Sequence, residues 1–409
     1  MNKPNLSNNI DSQILDGLAQ HIKRSMSFRV TQGGGAEICD GPGIGLLVSL
    51  DSFVWTAMET TCSPFHVQGE TYLRNVREWD ANGQPRDALL PTIAVATRPN
   101  PSFRESNRLV ILLFSIKDCL TTHSSAKHLL YPPHLRLLRD LFLEHPISHS
   151  LVRTPKELVD DTGLSVAKNC NDFVDRFRQA MCDSKLLRRE RFNWNLGSRE
   201  NLMELHAYLD SLFPVPHSSV TVLHLRLLCD PAAEGDHRSE LQALRDCRAK
   251  LFDRMRRKLA LFSSKPGFVW AILPSADGRF HLHLTLLFDT AALQKLRDDK
   301  QVEADLTGTA VKDHADLIGT YWAEGVTEGR GRYFRADSTG NLYDRDWVHG
   351  EVRADDTERR DRLKRTLGYL AMRRALVRLS NEPAGEYFGM RERKARSPRR
   401  PPRGEAKAG

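Results

Sequence analysis

The stretch VWAILPSADGRFHLHLTLLFD, residues 269–289, decides how this chain is read. Its second half alternates, with Leu282, Leu284, Leu286 and Phe288 on one side of a strand and His281, His283 and Thr285 on the other. Asp277-Gly278 interrupts the apolar pattern and predicts a hairpin turn between this strand and the one beginning at Gly267. Pairing about that turn sets Pro274 opposite His281 and Ile272 opposite His283, and neither of these can bind a metal. Two imidazoles at i and i+2 on one strand face lie close enough to share a divalent ion. Histidines that face solvent or cap a neighbour account for such a pair as well. An apolar-flanked His-x-His on an open sheet face, however, is not where packing asks for histidine.

Working outward, SSVTVLHLRLL (218–228) alternates in the same way, with Leu223, Leu225 and Leu227 opposed to Val222, His224 and Arg226. A basic helix is predicted over 237–261, with Leu241, Leu244, Leu251, Met255 and Leu259 inward and Arg245, Arg248, Arg254 and Arg257 mostly outward. A helix near 312–325, an extended piece near 331–344 and a long helix near 356–380 follow. The order is β-α-β-β-α-β-α. It predicts an α+β protein whose C-terminal domain is a ferredoxin- or RRM-like antiparallel sheet with helices on one face.

These segments, with LHLRLL (223–228), IGTYW (318–322), GYLAMRRA around Tyr369 and Tyr387-Phe388-Gly389 in the same order, resemble the inovirus-type replication protein family, also called the YagK/YfjJ C-terminal-domain family. Members resemble the HUH endonucleases that start rolling-circle replication, and the likeness covers about residues 215–392. The resemblance implies a replication initiator that nicks and rejoins single-stranded or origin DNA. It would work through a phosphotyrosine, with Mg²⁺ or Mn²⁺ as cofactor and host replication proteins as further partners. It assigns His281 and His283 to the metal and Tyr369 to the nucleophile. Such a metal would neutralise charge on the non-bridging oxygens, and the covalent link would conserve the bond energy for rejoining.

Two departures accompany the likeness. The acidic third ligand usual in such sites is missing, and His224 is the substitute, with Asp277 a poorer one. A lysine is expected three residues after the tyrosine, where the chain has Met372, and Arg373 takes its place. Arg365 and Arg373 stand one helical turn either side of Tyr369, where they could lower its pKa or grip the phosphate. Of Tyr321, Tyr333, Tyr343, Tyr369 and Tyr387, only Tyr369 combines a regular helix, cationic neighbours and the family position. Tyr343 falls in a glycine- and aspartate-rich extended stretch. A tyrosine among leucines on an amphipathic helix also suits simple packing.

At 409 residues the chain is too long for one ordinary domain. We expect a mixed, partly helical module over 1–145, a helical segment over 146–213, the HUH-like domain over 214–390 and a disordered basic tail over 391–409. In the first module, 46–56 and 109–116 look like strands, and Leu135–Phe142 like a helix. The glycine clusters at 33–35 and 41–45 read as turns, since no phosphate-loop Lys-Ser/Thr follows. Residues 154–180 suit a helix-turn-helix, with Lys168, Asn169 and Asn171 as DNA-facing groups, or an ordinary helical hairpin.

Apolar residues at 40% and charged residues at 27% exclude a wholly disordered or fibrous chain. The longest apolar run, Leu109–Phe114, is far short of the ~20 residues of a membrane span. The first residues lack the basic and apolar regions of a secretory leader, so the expectation is a cytoplasmic protein. Seven scattered cysteines without a Cys-x-x-Cys pair read as reduced thiols. Of the net charge of +8, the tail supplies six, through eight Lys/Arg against Glu392 and Glu405. Such a tail attracts polyanions without reading sequence. A non-catalytic DNA-binding protein with a degenerate HUH-like domain is the alternative. A two-histidine phosphoesterase built on His283 and Thr285, with His217 or His123 as the second histidine, ranks behind it.

Overall fold

A computed structural model describes residues 12–30, 36–38, 44–79, 84–117, 129–149, 166–230, 237–262, 266–275, 279–308, 310, 312–335, 343, 347–379 and 382–390. The glycine clusters at 33–35 and 41–43, the first helix expected for a helix-turn-helix at 155–161, Asp277 and the tail 391–409 lie outside them. The chain divides into two compact units. One comprises Met1–Lys23, Pro42–Gly197 and Arg374–Asn381, and the other Arg24–Gly41, Ser198–Arg373 and Glu382–Gly409.

The elements in the first half are α1 (Ser12–Ser27), β1 (Phe28–Val30), β2 (Ala36–Ile38), α2 (Ile44–Glu59), β3 (Phe65–Trp79), β4 (Pro85–Pro99), α3 (Leu109–Lys117), β5 (Leu129–Leu130), α4 (Pro133–Glu144), α5 (Val166–Asp183) and α6 (Lys185–Ser211). The expected strands at 46–56 and 109–116 are therefore the helices α2 and α3. Leu47, Leu50, Phe53, Val54 and Ala57 recur at helical spacing and are buried. A run apolar on nearly every side lacks the alternation that would separate a strand from a buried helix. The long hairpin of β3 and β4, paired from Phe65–Pro99 to Trp79–Pro85, has no counterpart among the elements expected from sequence. On α5, Asn171 holds the backbone N–H and carbonyl of Phe65 at 3.0 and 2.9 Å. Asn169 is buried. Both are taken up by packing within this unit, whereas Lys168 is exposed.

The second half contains β6 (Ser219–Cys229), α7 (His237–Met255), α8 (Leu259–Phe262), β7 (Gly267–Pro274), β8 (Phe280–Asp289), α9 (Thr290–Thr307) and α10 (His314–Thr320), which runs into a π-helical turn at Tyr321–Val326. β9 (Gly331–Arg335), β10 (Gly350–Arg353), α11 (Thr357–Leu376), β11 (Arg378–Leu379) and β12 (Phe388–Met390) complete the chain. The principal sheet is antiparallel, in the order β10-β6-β8-β7-β12, and β9 pairs with β6 beyond the end of β10. The β7–β8 register sets Leu273 opposite His281 and Ala271 opposite His283, with Pro274 opposite Phe280. This is one residue away from the expected pairing. The connection is a five-residue loop, closed by Ser275 N–H to Arg279 O at 2.7 Å, and not a two-residue turn.

The expectation of helices on one face is also corrected: both faces are covered. Leu282, Leu284, Leu286 and Phe288 are buried on the side of α7 and α10, where His314 meets Phe288 edge-on at 5.2 Å. On the other side Leu287, Val220, Val222, Val269, Ala271 and Leu273 form one core with Leu205 and Leu209 of α6 and Leu363, Leu367 and Leu370 of α11, joined by Tyr343, Trp347 and Val348. β8 is buried at every position but its last. Polar residues on one face of a strand suggested exposure, but the next layer was supplied by helices and a loop distant in sequence. Among the described residues no helix is long and apolar enough to cross a membrane.

Two consequences are measurable. Leu286 and Leu287 point to opposite faces and both are buried, so Leu286→Ala and Leu287→Ala should each cost about 2–5 kcal/mol in denaturant unfolding. An open face would make only the first expensive. Burial, with Lys300 and Arg297 nearby, lowers the His314 pKa from 6.5 to about 4. His314 is thus neutral in the fold and charged in the unfolded chain between these values, and the stability it permits is whole above pH 6.5 and lost as pH falls toward 4. His314→Phe should flatten the loss of stability between pH 6.5 and pH 4 measured in denaturant titrations.

Candidate functional site: a buried histidine chain

The β6–β8 register places His224 opposite Thr285 and Arg226 opposite His283, so all four side chains, with His281, share one sheet face. His281, His283 and Thr285 have no exposed surface, and His224 and Arg226 are buried. The His224 and His283 ring centroids are 5.6 Å apart. Trp347 closes over both, with its ring centre 5.0 Å from each.

The hydrogen bonds form a single ordered chain, and its directions follow from its far end. The Val348 carbonyl can only accept, so His224 Nε2–H donates to it, at 2.9 Å. His224 Nδ1 is then the acceptor and takes the Thr285 hydroxyl proton at 2.8 Å. The Thr285 oxygen accepts in turn from His283 Nε2–H at 3.3 Å. His283 Nδ1 is left to accept from the Tyr343 hydroxyl at 3.1 Å. Arg226 donates to the Tyr343 oxygen and holds its guanidinium 5.1 Å from the ring centre. Both histidines of the chain are neutral in this scheme. Burial pushes the Tyr343 phenol up to about 12, against the nearby Arg226 charge, so the hydroxyl keeps its proton at neutral pH. Separately, His281 Nδ1 pairs with Ser275 Oγ at 2.9 Å.

The structure therefore brings His224 beside His283, as their strand positions suggested, and adds Tyr343, Thr285 and Arg226. Tyr343 stands in an Asp- and Gly-rich segment whose sequence has no periodicity to place it. Tyr369 is buried on α11, on the side away from Leu363, Leu367 and Leu370, which pack on the sheet. Arg365 on the same helix is exposed. Arg373 is buried and forms an ion pair with the buried Glu382 at 2.8 Å. His217 is exposed in the turn before β6, apart from Thr285 and His283.

A divalent ion binds an imidazole lone pair. In the arrangement shown, both ring nitrogens of His224 and of His283 are committed to protein partners, so an ion would have to displace Thr285 and Tyr343. Among the described residues no group of three or more His, Cys, Asp or Glu side chains is arranged to hold a metal. Hydrogen-bonded in this way, His224 and His283 do not fit the ion implied by the family likeness. A cavity of about 250 Å³ reaches His224 from the gap along β6 between β9 and β10, with Arg297, His349 and Glu351 among its lining.

The chain makes Thr285 the keystone of the site. Thr285→Val is nearly isosteric but strands His224 Nδ1 and His283 Nε2–H, and should destabilise the fold by about 2–5 kcal/mol in thermal or denaturant unfolding. Thr285→Ser keeps the hydroxyl and should cost less than half as much.

Comparison of the chain with family models, with curated proteins and with solved structures finds no match.

Proposed function

We propose that this chain is a replication-initiation protein that nicks and rejoins single-stranded DNA through a phosphotyrosine. The observation that supports it best is the His-x-His pair on a central strand of the antiparallel sheet, with a third histidine on the neighbouring strand and a tyrosine hydroxyl 3.1 Å from His283. The order of β6, α7, β7, β8, α9, α10 and then β9 and β10, with β6 between β8 and the later strands, supports the ferredoxin- or RRM-like reading of this unit. The motifs that resemble those of the inovirus-type family point the same way.

In the proposed reaction the phenolic oxygen attacks phosphorus and the bond to the 3′ oxygen breaks. The strand is left with a free 3′-hydroxyl and the protein with a 5′-phosphotyrosine. The phenol loses a proton and the departing oxygen gains one. His283 Nδ1 is positioned to take the proton of Tyr343, and Arg226 to favour the phenolate. The whole group is buried, so DNA reaches it only when the packing of Trp347, Val348 and α11 over it opens. Tyr369, the residue implied by the family likeness, remains the competing nucleophile.

A second reading has its own support. With the histidine nitrogens committed, Arg373 neutralised by Glu382 and Met372 where the family likeness expects lysine, the unit suits a non-catalytic DNA-binding protein. Incubation of the full chain with single-stranded oligonucleotides, with Mg²⁺, with Mn²⁺ or with chelator, followed by denaturing electrophoresis and peptide mass mapping, separates the two. The expected result is a covalent adduct lost at least about a hundredfold in Tyr343→Phe and retained in Tyr369→Phe. The reverse pattern moves the role to Tyr369. No adduct under any condition, with binding intact, establishes the second reading.

A further inference from the structure

Arg245 and Arg248, expected on the solvent side of α7, fold inward onto aromatic rings instead. The Arg248 guanidinium lies 3.8 Å from the Trp270 ring centre. That of Arg245 lies 5.0 Å from the Tyr387 ring centre, with one N–H given to Ala384 O at 3.1 Å. Trp270 and Tyr387 are themselves buried. Gly389 permits this: a Cβ there would meet the Trp270 indole at 2.7 Å, so β12 approaches β7 flat against that ring. This gives a structural role to the Tyr387-Phe388-Gly389 motif.

Stacking fixes the two guanidinium planes but does not satisfy their edges. Nε and Nη2 of Arg245 and Nε and Nη1 of Arg248 are buried and meet no hydrogen-bond acceptor among the described residues. Leaving charged donors buried and unmade is costly, so the geometry asks for an acceptor that is itself an anion. The chain offers a poor one. Glu386 is largely exposed, and its carboxylate stands 3.9 Å from Arg248. Glu382 already answers Arg373.

We infer that Arg245 and Arg248 form a phosphate-binding site for the backbone of single-stranded DNA, separate from the histidine chain. Two planar forks three residues apart on one helix suit the acceptor-only oxygens of a phosphodiester better than a point charge would. The sequence names the polyanion over an isolated phosphate: directly after Met390, the last residue of β12, it carries eight Lys/Arg within 391–409. The choice of DNA rests on the function proposed above, whereas the anion site does not require cleavage.

The test is fluorescence anisotropy of the full chain with a labelled single-stranded oligonucleotide in chelator, across a salt series, so that no adduct forms. Arg245→Ala/Arg248→Ala should weaken binding about ten- to a hundredfold, and lower the slope of log K against log salt by about 1.4, since each lost phosphate contact removes ~0.7. The tail is the same in every variant, so the difference belongs to the pair. Should the double variant fail to fold, two milder changes decide. Arg248→Lys keeps the charge but loses the fork and should weaken binding; Glu386→Gln removes the competing carboxylate at an exposed position and should tighten it about two- to fivefold. Unchanged affinity and slope in these variants overturn the site. Inorganic phosphate that competes as well per phosphate as the oligonucleotide overturns the DNA assignment in favour of a free phosphate. Binding with these signatures but no tyrosine adduct upholds the site and rejects the nickase. An adduct with unaltered binding in the variants does the opposite.

Discussion

The hydroxyl of Thr285, held between His224 and His283, is the contact on which the histidine site depends. It exists because β6 and β8 pair in a register that puts His224 across from Thr285. A shift of one residue would turn the histidines to the leucine face and the leucines to theirs, and neither layer could then be buried. The apolar alternation of both strands enforces the register, and the register assembles the polar chain. Once made, the chain has few alternatives, because its terminal acceptor is a backbone carbonyl and its first donor an arginine.

Burial gives the chain its character. A threonine between two neutral imidazoles is unremarkable in water, yet in a layer closed by Trp347 and α11 each unmade bond carries the full cost of a desolvated polar group. The same closure raises the Tyr343 pKa and keeps the hydroxyl a donor. It also separates this tyrosine from Tyr369, which shares α11 with the leucines of the cover but faces the other way.

The buried arginines divide between the two faces of the sheet. Arg226 is buried with a phenol and keeps its charge within a network. Arg245 and Arg248 are stacked on rings, with donors still unmet. Arg226 thus belongs to the closed polar layer on the histidine face, and the stacked pair on the other face is where the inferred anion would sit.

The elements around the histidines are legible in local pattern. Strict period-two alternation marks β6 and β8, the Asp277-Gly278 interruption marks their neighbour β7, and helical spacing marks α7 and α11. It also placed His224, His281 and His283 on one face, because side-chain direction along a strand is a local property. Where local signals were ambiguous it misled: apolar runs that became α2 and α3 read as strands, and a five-residue loop moved the hairpin register by one. Burial of the polar face of β8, the contact of Tyr343 and not a helical tyrosine with His283, and the inward turn of Arg245 and Arg248 onto Trp270 and Tyr387 come from the assembled fold. Each of these depends on which distant segment covers a surface, and that is set by the summed packing of α6, α11, Tyr343, Trp347 and Val348 against the sheet, which no local pattern encodes.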